Sequence, residues 1–462
     1  MSKTSKSGLS KALSTPEMLI LGLGAMIGWG WIILTGTWVN DAGAMGAITA
    51  FVLGTVLVSV IAVVYGELAS AMPFVGGEHA YSLRALGPVG SFVCTWAIIF
   101  GYVTVVAFEA VALPSAFSYL IPGFNTLPLW TVAGETVYGS WVLVGLLGML
   151  LVTYLNYRGI RFAAQFQIVL TVVIALAGIV LLVGGVTNGE PSPDPAFIGG
   201  AAGVFSVVLA IPFMFVGFDV IPQLAEEADM SSRMVGRIIT VAVLLAAVFY
   251  IAVIWGAGRA LPGAALAESP LPAAAALSAL YDSALVGRIM ALAGIAGILT
   301  SWNAMVIGAS RAMFALADSG MLPQSLSSLH PEYNTPTKAI LLVGGISGLA
   351  PFFGEGMLNW AVNAGGLGIV VAWFLVTVSF LLLRYREPAM ERPYKVPAGK
   401  AVGVFALVLS AFFVYLYLPT GASALVWPYE WAIVFMWGVL GVVLYAVSTG
   451  ESRETAEDIS DL

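Results

Sequence analysis

The chain has 462 residues, of which 60% are hydrophobic and only 9% are charged, with a net charge of −7. Soluble proteins carry about 25% charged residues, so this composition excludes a soluble enzyme and a disordered chain. The 18 basic residues are outnumbered by 25 acidic ones, which excludes nucleic acid as a partner. The single cysteine, Cys94, excludes a disulfide within the chain and a cysteine-based metal centre. The composition favours a protein that crosses a lipid bilayer several times.

Twelve apolar segments are long enough, or nearly long enough, to cross the hydrocarbon core of a bilayer, which takes about 20 helical residues. We number them spans 1 to 12 in chain order; spans 4 and 9 are short, and span 9 is the weakest. They cover residues 17–39, 46–69, 89–121, 141–156, 164–186, 203–223, 238–258, 288–316, 339–353, 357–384, 402–418 and 431–447.

The basic residues predict the orientation of these spans, because Lys and Arg concentrate on the cytoplasmic side of membrane proteins. With the N-terminus inside, 16 of the 18 basic residues fall on the cytoplasmic side, and only Arg259 and Arg288 fall outside. An error in one middle span would invert every later loop and destroy this asymmetry. We therefore expect a multi-pass protein of the cytoplasmic membrane with both termini cytoplasmic. Residues 1–16 and 448–462 are expected to be short, solvated tails.

Spans 1 and 6 are interrupted by residues that disfavour a helix. Span 1 carries the run GLGAMIGWGW from Gly22 to Trp31, and each glycine inside a helix costs about 1 kcal/mol relative to alanine. Span 6 carries IPFMFVGFDVIP from Ile211 to Pro222, with two prolines, a glycine and an aspartate. Irregular backbone at membrane depth is tolerated where it lines a cavity or is buried in protein. One glycine-rich span alone also fits close helix packing, but two breaks five spans apart favour a transporter binding site.

The spacing of the two breaks predicts the architecture. Each break opens a set of five spans, and an odd number of spans places the two sets in opposite orientations. We expect an all-α membrane protein of twelve transmembrane helices: a five-plus-five inverted repeat (residues 17–186 and 200–384) and two extra helices (residues 402–447). The free N–H groups after Gly28 would attract a carboxylate, and the free carbonyls of both breaks would accept from an ammonium group or coordinate a cation.

Four sequence motifs resemble those of the amino acid–polyamine–organocation (APC) transporter superfamily. They cover most of the chain in the right order, and the span-6 motif is most similar to the bacterial cationic-amino-acid-transporter-like branch. The motifs are GAMIGWGWI from Gly24, VYGELASAMPFVGGEHAY from Val64, FVGFDVI from Phe215 with Ala225-Glu226-Glu227 after it, and the segment from Gly308 to Pro323 with His330-Pro331 and Thr335-Pro336 after it.

The resemblance implies secondary transport of amino acids or small amines by alternating access, with the substrate at the two breaks. The substrate carboxylate would meet the backbone of span 1 and the amine would meet carbonyls of span 6. Phe213 would be an aromatic gate, and Gly217 would mark the unwound part of span 6. The expected substrate-binding residues are Met26, Ile27, Gly28, Trp29, Gly30, Phe213, Met214, Val216, Gly217 and Phe218, together with Glu109 of span 3.

The chain departs from the family pattern at two positions. Trp29 stands where the family has a small residue, so the indole is expected to narrow the pocket. Ile174 stands where some proton-coupled relatives have a lysine, so a lysine-based proton site is not expected, and Ile174→Lys should impair transport.

Span 8 carries Gly297-Ile-Leu-Thr300-Ser301. Sodium-coupled members of the wider fold have a small residue followed by hydroxyls at this spacing, opposite carbonyls of span 1. The alternative is that both hydroxyls bond to carbonyls of their own helix. The implied sodium ligands are Gly24, Ile27, Gly297, Thr300 and Ser301.

Ionisable residues near the membrane core are candidates for function, because they are costly there. Glu109 either pairs with a substrate ammonium, carries a proton or packs against a polar neighbour. Asp219 either has a coupling role linked to conformation or pH, or caps the half-helix beyond the break. Glu67 and Arg311, at inner span ends, belong either to a cytoplasmic gate or to the interface.

We therefore predict a permease for an amino acid or small amine, with no cofactor apart from Na⁺ as a coupling ion, and with the substrate and the bilayer as its partners. Proton symport, exchange and a transport-like nutrient sensor are the alternatives. A membrane-embedded enzyme is not expected, because the spans hold no histidine and only two mid-span acids, on different helices. The identity of the substrate, the coupling ion and the oligomeric state stay open.

Overall fold

The computed structural model describes residues 8–9, 11–190 and 195–448. Within these residues the chain forms seventeen α-helices and one antiparallel hairpin of two strands. The helices are α1 Thr15–Met26, α2 Gly30–Ile33, α3 Thr35–Ala42, α4 Ala44–Ala71, α5 Glu78–Leu120, α6 Gly139–Tyr157, α7 Ile160–Thr187, α8 Gly200–Met214, α9 Val220–Gln223, α10 Ser232–Ala260, α11 Gly263–Glu268, α12 Pro272–Leu280, α13 Ala284–Asp318, α14 Thr337–Ser347, α15 Met357–Arg386, α16 Gly399–Tyr417 and α17 Tyr429–Ser448, and the strands are β1 Pro128–Val132 and β2 Glu135–Tyr138.

The expectation of an all-α membrane protein is confirmed. Nine helices of the described chain are long and apolar enough to cross a membrane: α4, α5, α6, α7, α10, α13, α15, α16 and α17. Three shorter apolar segments, α1, α8 and the stretch Thr337–Phe353, coincide with spans 1, 6 and 9 of the sequence prediction. Large apolar side chains such as Val248, Val408 and Val442 are exposed on the outer helix faces, as expected for surfaces in contact with lipid tails.

Both predicted breaks are present in the structure. Helix α1 ends at Met26 and α2 begins at Gly30, after which the chain continues through α3 to Ala42. Helix α8 ends at Met214 and α9 begins at Val220, with Gly217 between them at φ +123°. Residues that carry a side chain rarely adopt that backbone conformation, so the glycine permits the interruption of the helix.

Three local features differ from the expected spans. Helix α5 starts eleven residues before span 3, at Glu78, and bends at Gly87, whose φ is +74° and which precedes Pro88. Span 9 is a helix only to Ser347 and then continues as a 3₁₀ turn, Ala350–Phe353, that contains Pro351. The hairpin β1–β2 lies in a predicted outer loop for which no structure was expected; Trp130 stacks on Phe352 and anchors it.

The packing places α1 inside the bundle and α8 at its side. Helix α5 runs along α15 and α13, and α4 runs along α10. Helix α1 is surrounded by α7, α10 and α13, whereas α8 packs on α3 and α4. Three arginines, Arg311, Arg384 and Arg392, lie in ion pairs at one end of the bundle, which we call the basic end; we call the other end, which carries β1–β2, the hairpin end.

The N-terminal segment is not the solvated tail that the sequence suggests. Leu9 and Leu13 are fully buried, because their apolar side chains find partners on the basic end. The N–H groups of Ala12 and Leu13 both donate to the Glu227 carbonyl at 3.0 Å, and the Asp229 N–H donates to the Leu13 carbonyl at 2.8 Å. The expectations for residues 1–7, 10 and 449–462 lie outside the described residues.

Candidate functional site

The two breaks pack directly against each other. A Cβ built on Gly217 would lie 2.6 Å from the Ala25 Cβ and 2.9 Å from the Met26 nitrogen. A Cβ on Gly30 would lie 2.8 Å from the terminal methyl of Met214. Glycine at position 217 therefore lets the backbones of the two breaks meet, and glycine at position 30 leaves room for the Met214 side chain.

Tyr250 of α10 joins the ends of both interrupted helices. Its hydroxyl lies 2.7 Å from the Met26 carbonyl and 3.0 Å from the Met214 carbonyl. A phenol has one proton and can donate to one carbonyl at a time, so Tyr250 shares its hydrogen bond between the two breaks. The sequence analysis missed this residue, because a lone tyrosine in an apolar span carries no signal of its own.

A small cavity lies between the breaks. Its free space is about 30 Å³, which is room for about two water molecules. Eight of the predicted substrate-binding residues line it: Met26, Gly28, Trp29, Gly30, Glu109, Phe213, Met214 and Val216. The cavity is also lined by Ala25, Val105, Phe108, Ser301 and Met305, of which only Ser301 was singled out from the sequence, and then as a sodium ligand.

Three predicted residues lie beside the cavity and do not line it. Gly217 packs on Ala25, as described above, and the Ile27 carbonyl faces Thr300. Phe218 packs between Tyr65 and Trp373, with ring centroids 5.4 and 5.2 Å apart. These residues pack against the breaks on the side that faces away from the cavity.

The backbone around the cavity has free hydrogen-bonding groups of both kinds. In the described part of the chain, the N–H groups of Gly28, Trp29 and Gly30 donate to no protein acceptor, and the Val216 carbonyl accepts from no protein donor. Buried backbone groups without a partner are rare and costly. Donors on one break and an acceptor on the other therefore suit a ligand that carries both an anionic and a cationic group.

Glu109 of α5 is the acid of the cavity. Its side chain is 1% exposed, and its Oε2 has no hydrogen-bond partner among the described residues. A Cβ on Gly28 would lie 2.7 Å from Glu109 Oε1 and 3.1 Å from the Ser301 hydroxyl. Glu109 thus reaches the span-1 break with one oxygen unpaired and the Ser301 hydroxyl beside it, an arrangement that fits each of the three alternatives.

Asp219 holds the second break in place. Its Oδ1 accepts from the Tyr102 hydroxyl at 3.1 Å and from the Gly217 N–H at 3.2 Å, and its Oδ2 accepts from the Trp373 indole at 2.9 Å. The side chain is fully buried. This set of donors supports the structural alternative for Asp219, a cap that ties the break to α5 and α15.

The predicted sodium ligands are brought together only in part. The Thr300 hydroxyl lies 2.9 Å from the Gly297 carbonyl and 3.5 Å from the Ile27 carbonyl. The shorter of the two joins residues of one helix, which is the alternative stated for this hydroxyl. The Ile27 carbonyl, just after α1, is the third neutral oxygen of the group, and hard cations such as Na⁺ take oxygen ligands. Ser301 instead borders Gly28 and Glu109, and Gly24 faces helix α7.

A chain of hydrogen-bonded, buried side-chain amides packs against α1. Asn156 Nδ2 donates to Asn303 Oδ1 at 2.9 Å, and Asn303 Nδ2 donates to Gln167 Oε1 at 2.8 Å. Gln167 then contacts Gly24, where a Cβ would also lie 2.8 Å from the Thr171 hydroxyl. The residues of α7 that face Gly24 are thus Gln167 and Thr171, while Ile174 is a buried core residue further along the helix.

A helical membrane protein with a cavity between two broken helices has the design of a secondary transporter. The model of the "Amino acid permease" family matches residues 13–444. The chain therefore belongs to the amino acid permease family of the APC superfamily, whose members are transporters and not enzymes.

Curated relatives agree with this assignment. The branched-chain amino acid permease BcaP of Bacillus subtilis is 27% identical over 443 residues, 95% of this chain and 92% of the relative. The methylthioribose transporter of the same organism is 27% identical over 453 residues, 96% of this chain and 95% of the relative. The vacuolar cationic amino acid transporter 4 of Arabidopsis thaliana is 26% identical over 393 residues, 82% of this chain and 64% of the relative.

Proposed function

We propose that this protein carries small apolar amino acids across the cytoplasmic membrane by alternating access. The observation that carries the proposal is the pairing of free N–H groups at Gly28, Trp29 and Gly30 with a free carbonyl at Val216 across one cavity. The N–H groups match a carboxylate, and the carbonyl matches an ammonium group. Glu109 supplies a second partner for the ammonium group.

The walls of the cavity favour an apolar substrate side chain. Val105, Phe108, Phe213, Met214 and Met305 surround it, and the Phe108 and Phe213 rings meet edge to face with centroids 6.2 Å apart. Neither lysine nor arginine is among the residues that line it. The branched-chain amino acid permease among the relatives is consistent with an apolar substrate side chain.

The small volume of the cavity supports alternating access. A space for about two waters is too small for an amino acid with a branched side chain, so this conformation holds no room for substrate. Substrate entry requires the broken helices to move, with the five-plus-five inverted repeat of a twelve-span protein providing the two opposite openings.

The basic end is proposed to face the cytoplasm, which places both termini there. Impermeant labelling of a cysteine introduced at Ser460, in the C-terminal tail, tests this orientation in intact cells. A cysteine introduced at Thr136 of the hairpin should be labelled, and the tail should not. Labelling of the tail would contradict the proposed orientation.

Transport itself is tested with purified protein in proteoliposomes. We expect counterflow of labelled leucine, isoleucine and valine, and a rise in the apparent melting temperature with the same amino acids, because a ligand of the native state stabilises it. Lysine and methylthioribose serve as competing substrates. Absence of counterflow and of stabilisation with every amino acid would contradict the proposed function.

Sodium is proposed as the coupling ion, bound between α1 and α13. The support is the meeting of Thr300 Oγ1 with the Ile27 and Gly297 carbonyls. Uptake should be faster in sodium than in choline at fixed pH, Thr300→Ala should lose the difference, and Thr300→Ser, which keeps the hydroxyl, should retain it. Equal rates of the wild type in the two salts would rule out sodium and leave proton symport or exchange.

A further inference from the structure

Glu78, the first residue of α5, is a buried acid that the site above does not use. Its side chain is fully buried at the basic end. Gln223 Nε2 donates a close hydrogen bond to Glu78 Oε2, and Glu78 Oε1 has no hydrogen-bond partner among the described residues.

Among the described residues, no ion pair places a cation on Glu78. The titratable groups that act on it are Tyr65 of α4, Tyr81, Cys94 and Tyr102 of α5, and Asp219 at the α8–α9 break. The ion pairs of the described chain engage other acids, namely Glu67, Glu227 and Glu387. His79, the next residue, contacts the Ser91 hydroxyl at 2.9 Å.

The charged form of Glu78 is therefore unfavourable in this conformation. A bare carboxylate out of water costs several kcal/mol, and a second acid nearby adds to that cost. Asp219 has three donors for its oxygens, whereas Glu78 accepts from the Gln223 amide and has the Tyr65 hydroxyl nearby. In the closed protein, Glu78 is the acid that holds a proton.

The end of α9 covers Glu78. Gln223 is the last residue of α9, and a Cβ on Gly77 would lie 2.9 Å from Pro222 Cβ. Movement of α9 away from the basic end would remove both the Gln223 amide and the cover that excludes water. Glu78 would then face solvent and lose its proton.

We propose that Glu78 is a proton-binding site that controls closure of the basic end, an inference that rests on the proposed alternating-access function. A proton from the solution at that end adds to the Glu78 carboxylate as α9 closes, and it returns to the same solution when α9 opens. The closed state binds one proton more than the open state, so low pH favours closure and high pH favours opening.

The first test is substrate exchange in proteoliposomes at equal pH on both sides, which makes the orientation of the protein irrelevant. At pH values above the titration of Glu78, the rate of substrate exchange by the wild type should fall by up to about tenfold per pH unit. The reason is that the protonated fraction of Glu78 falls about tenfold per pH unit. Substrate exchange by Glu78→Gln, which is neutral and of the same size, should be independent of pH, and Glu78→Asp should restore the dependence.

Glu430→Gln is the matched control. Glu430 is a buried acid at the hairpin end, held by Val426 and Asn363. The pH profile of this variant should match that of the wild type.

The second test needs no substrate. Amide hydrogen exchange of residues 218–229, corrected for the intrinsic effect of pH, should increase with pH in the wild type and stay low in Glu78→Gln. Equal responses in wild type and Glu78→Gln would overturn the proton site, even if transport is confirmed. Loss of all substrate exchange in the wild type, with the pH-dependent amide exchange intact, would instead contradict the proposed function.

Discussion

Gly28 lies in the cavity wall, next to Glu109 and Ser301. It is not among the described glycines with positive φ, so the need for glycine arises from contact alone. A Cβ at this position would lie 2.7 Å from Glu109 Oε1 and 3.1 Å from Ser301. Two neighbours on two helices, α5 and α13, would have to move to accept even one methyl group.

We expect Gly28→Val to reduce uptake by about tenfold or more, because overpacking of this kind costs about 1–3 kcal/mol and blocks the free N–H groups. Expression should stay near the wild-type level. The matched control is Gly438→Ala on α17, where a Cβ meets nothing within 4 Å. Uptake by Gly28→Val close to that of the wild type would remove the span-1 break from the substrate site.

Tyr250 is the second residue whose chemistry is specific enough to test. Tyr250→Phe keeps the ring but leaves the Met26 and Met214 carbonyls without their donor. An unsatisfied buried acceptor costs about 1–3 kcal/mol, so we expect a lower apparent melting temperature and a raised KM for substrate. Tyr415→Phe is the control, since Tyr415 is exposed and its hydroxyl donates to the Thr420 carbonyl. Unchanged KM and stability in Tyr250→Phe would show that the two breaks are held by other contacts.

At the scale of the helix, the interruption of span 6 depends on one backbone conformation. Gly217 combines φ +123° with close contact to Ala25 of α1. Both features oppose a side chain, and together they couple the shape of one broken helix to the position of the other.

Gly217→Ala should therefore lower the apparent melting temperature and abolish counterflow. Backbone strain in this region costs about 1–3 kcal/mol before any clash is counted. Gly345→Ala, at an open position of α14, should behave as the wild type in both assays. A Gly217→Ala variant that transports normally would mean that the break can form with φ below zero.

The two breaks could be predicted from the sequence because glycine and proline act locally. The glycine run and the two prolines weaken a helix locally. The first break falls inside that run, between Met26 and Gly30, and the second falls at Gly217, between Pro212 in α8 and Pro222 in α9. Residues within the broken segments, such as Met26 and Val216, were then placed at the cavity by position along the chain. Breaks of this kind are the strongest signal that a membrane sequence offers.

Residues on the unbroken helices could not be placed in the same way. Val105, Phe108 and Met305 reach the cavity from long apolar helices on which every face looks alike in the sequence. Tyr250 and Gln167 are single polar residues whose partners lie far away in the chain. Their function depends on helix rotation and on tertiary contacts, which local patterns do not determine.

At the scale of the whole molecule, closure of the basic end is secured by a buried ion pair. Arg311 of α13 binds Glu227, which follows α9, with Nε and Oε1 2.9 Å apart, and both side chains are 1% exposed. Glu67 at the end of α4 likewise binds Arg384 and Arg392, which lie at and beyond the end of α15. The Arg311–Glu227 contact supports the gate alternative for Arg311, since it fastens the segment after α9 to α13. The Glu67 contacts join α4 to α15 at the same end, although neither helix carries a break.

A double-mutant cycle tests the Arg311–Glu227 pair. Glu227→Gln and Arg311→Met should each destabilise the protein by about 3–5 kcal/mol, because each leaves a charge or a polar group buried without its partner. The double variant should be less destabilised than the sum of the two. Glu387→Gln, which breaks the half-exposed pair with Arg84, should cost less than about 1 kcal/mol. Additive single effects, measured from apparent melting temperatures, would show that the pair does not act as a unit.

The N-terminal segment closes over the same end of the molecule. Leu9 packs with Val75, Phe314 and Ala315, and Leu13 forms a parallel bridge with Ala228. The backbone of Glu227 accepts from this segment while its side chain binds Arg311. The segment and the ion pair therefore meet at one residue, and opening of the basic end should require the release of both.

Leu9→Ser combined with Leu13→Ser should loosen this closure, because burial of a leucine contributes about 1.5–3 kcal/mol. Amide hydrogen exchange of residues 225–229 should become faster, because a segment that detaches takes the backbone carbonyl of residue 13 away from the Asp229 N–H. Exchange in the hairpin, residues 128–138, should not change, and Ala12→Ser should leave both regions as in the wild type. If residues 225–229 stay fully protected in the leucine variant, the N-terminal segment does not hold the basic end closed. The buried ion pair alone would then account for the closure.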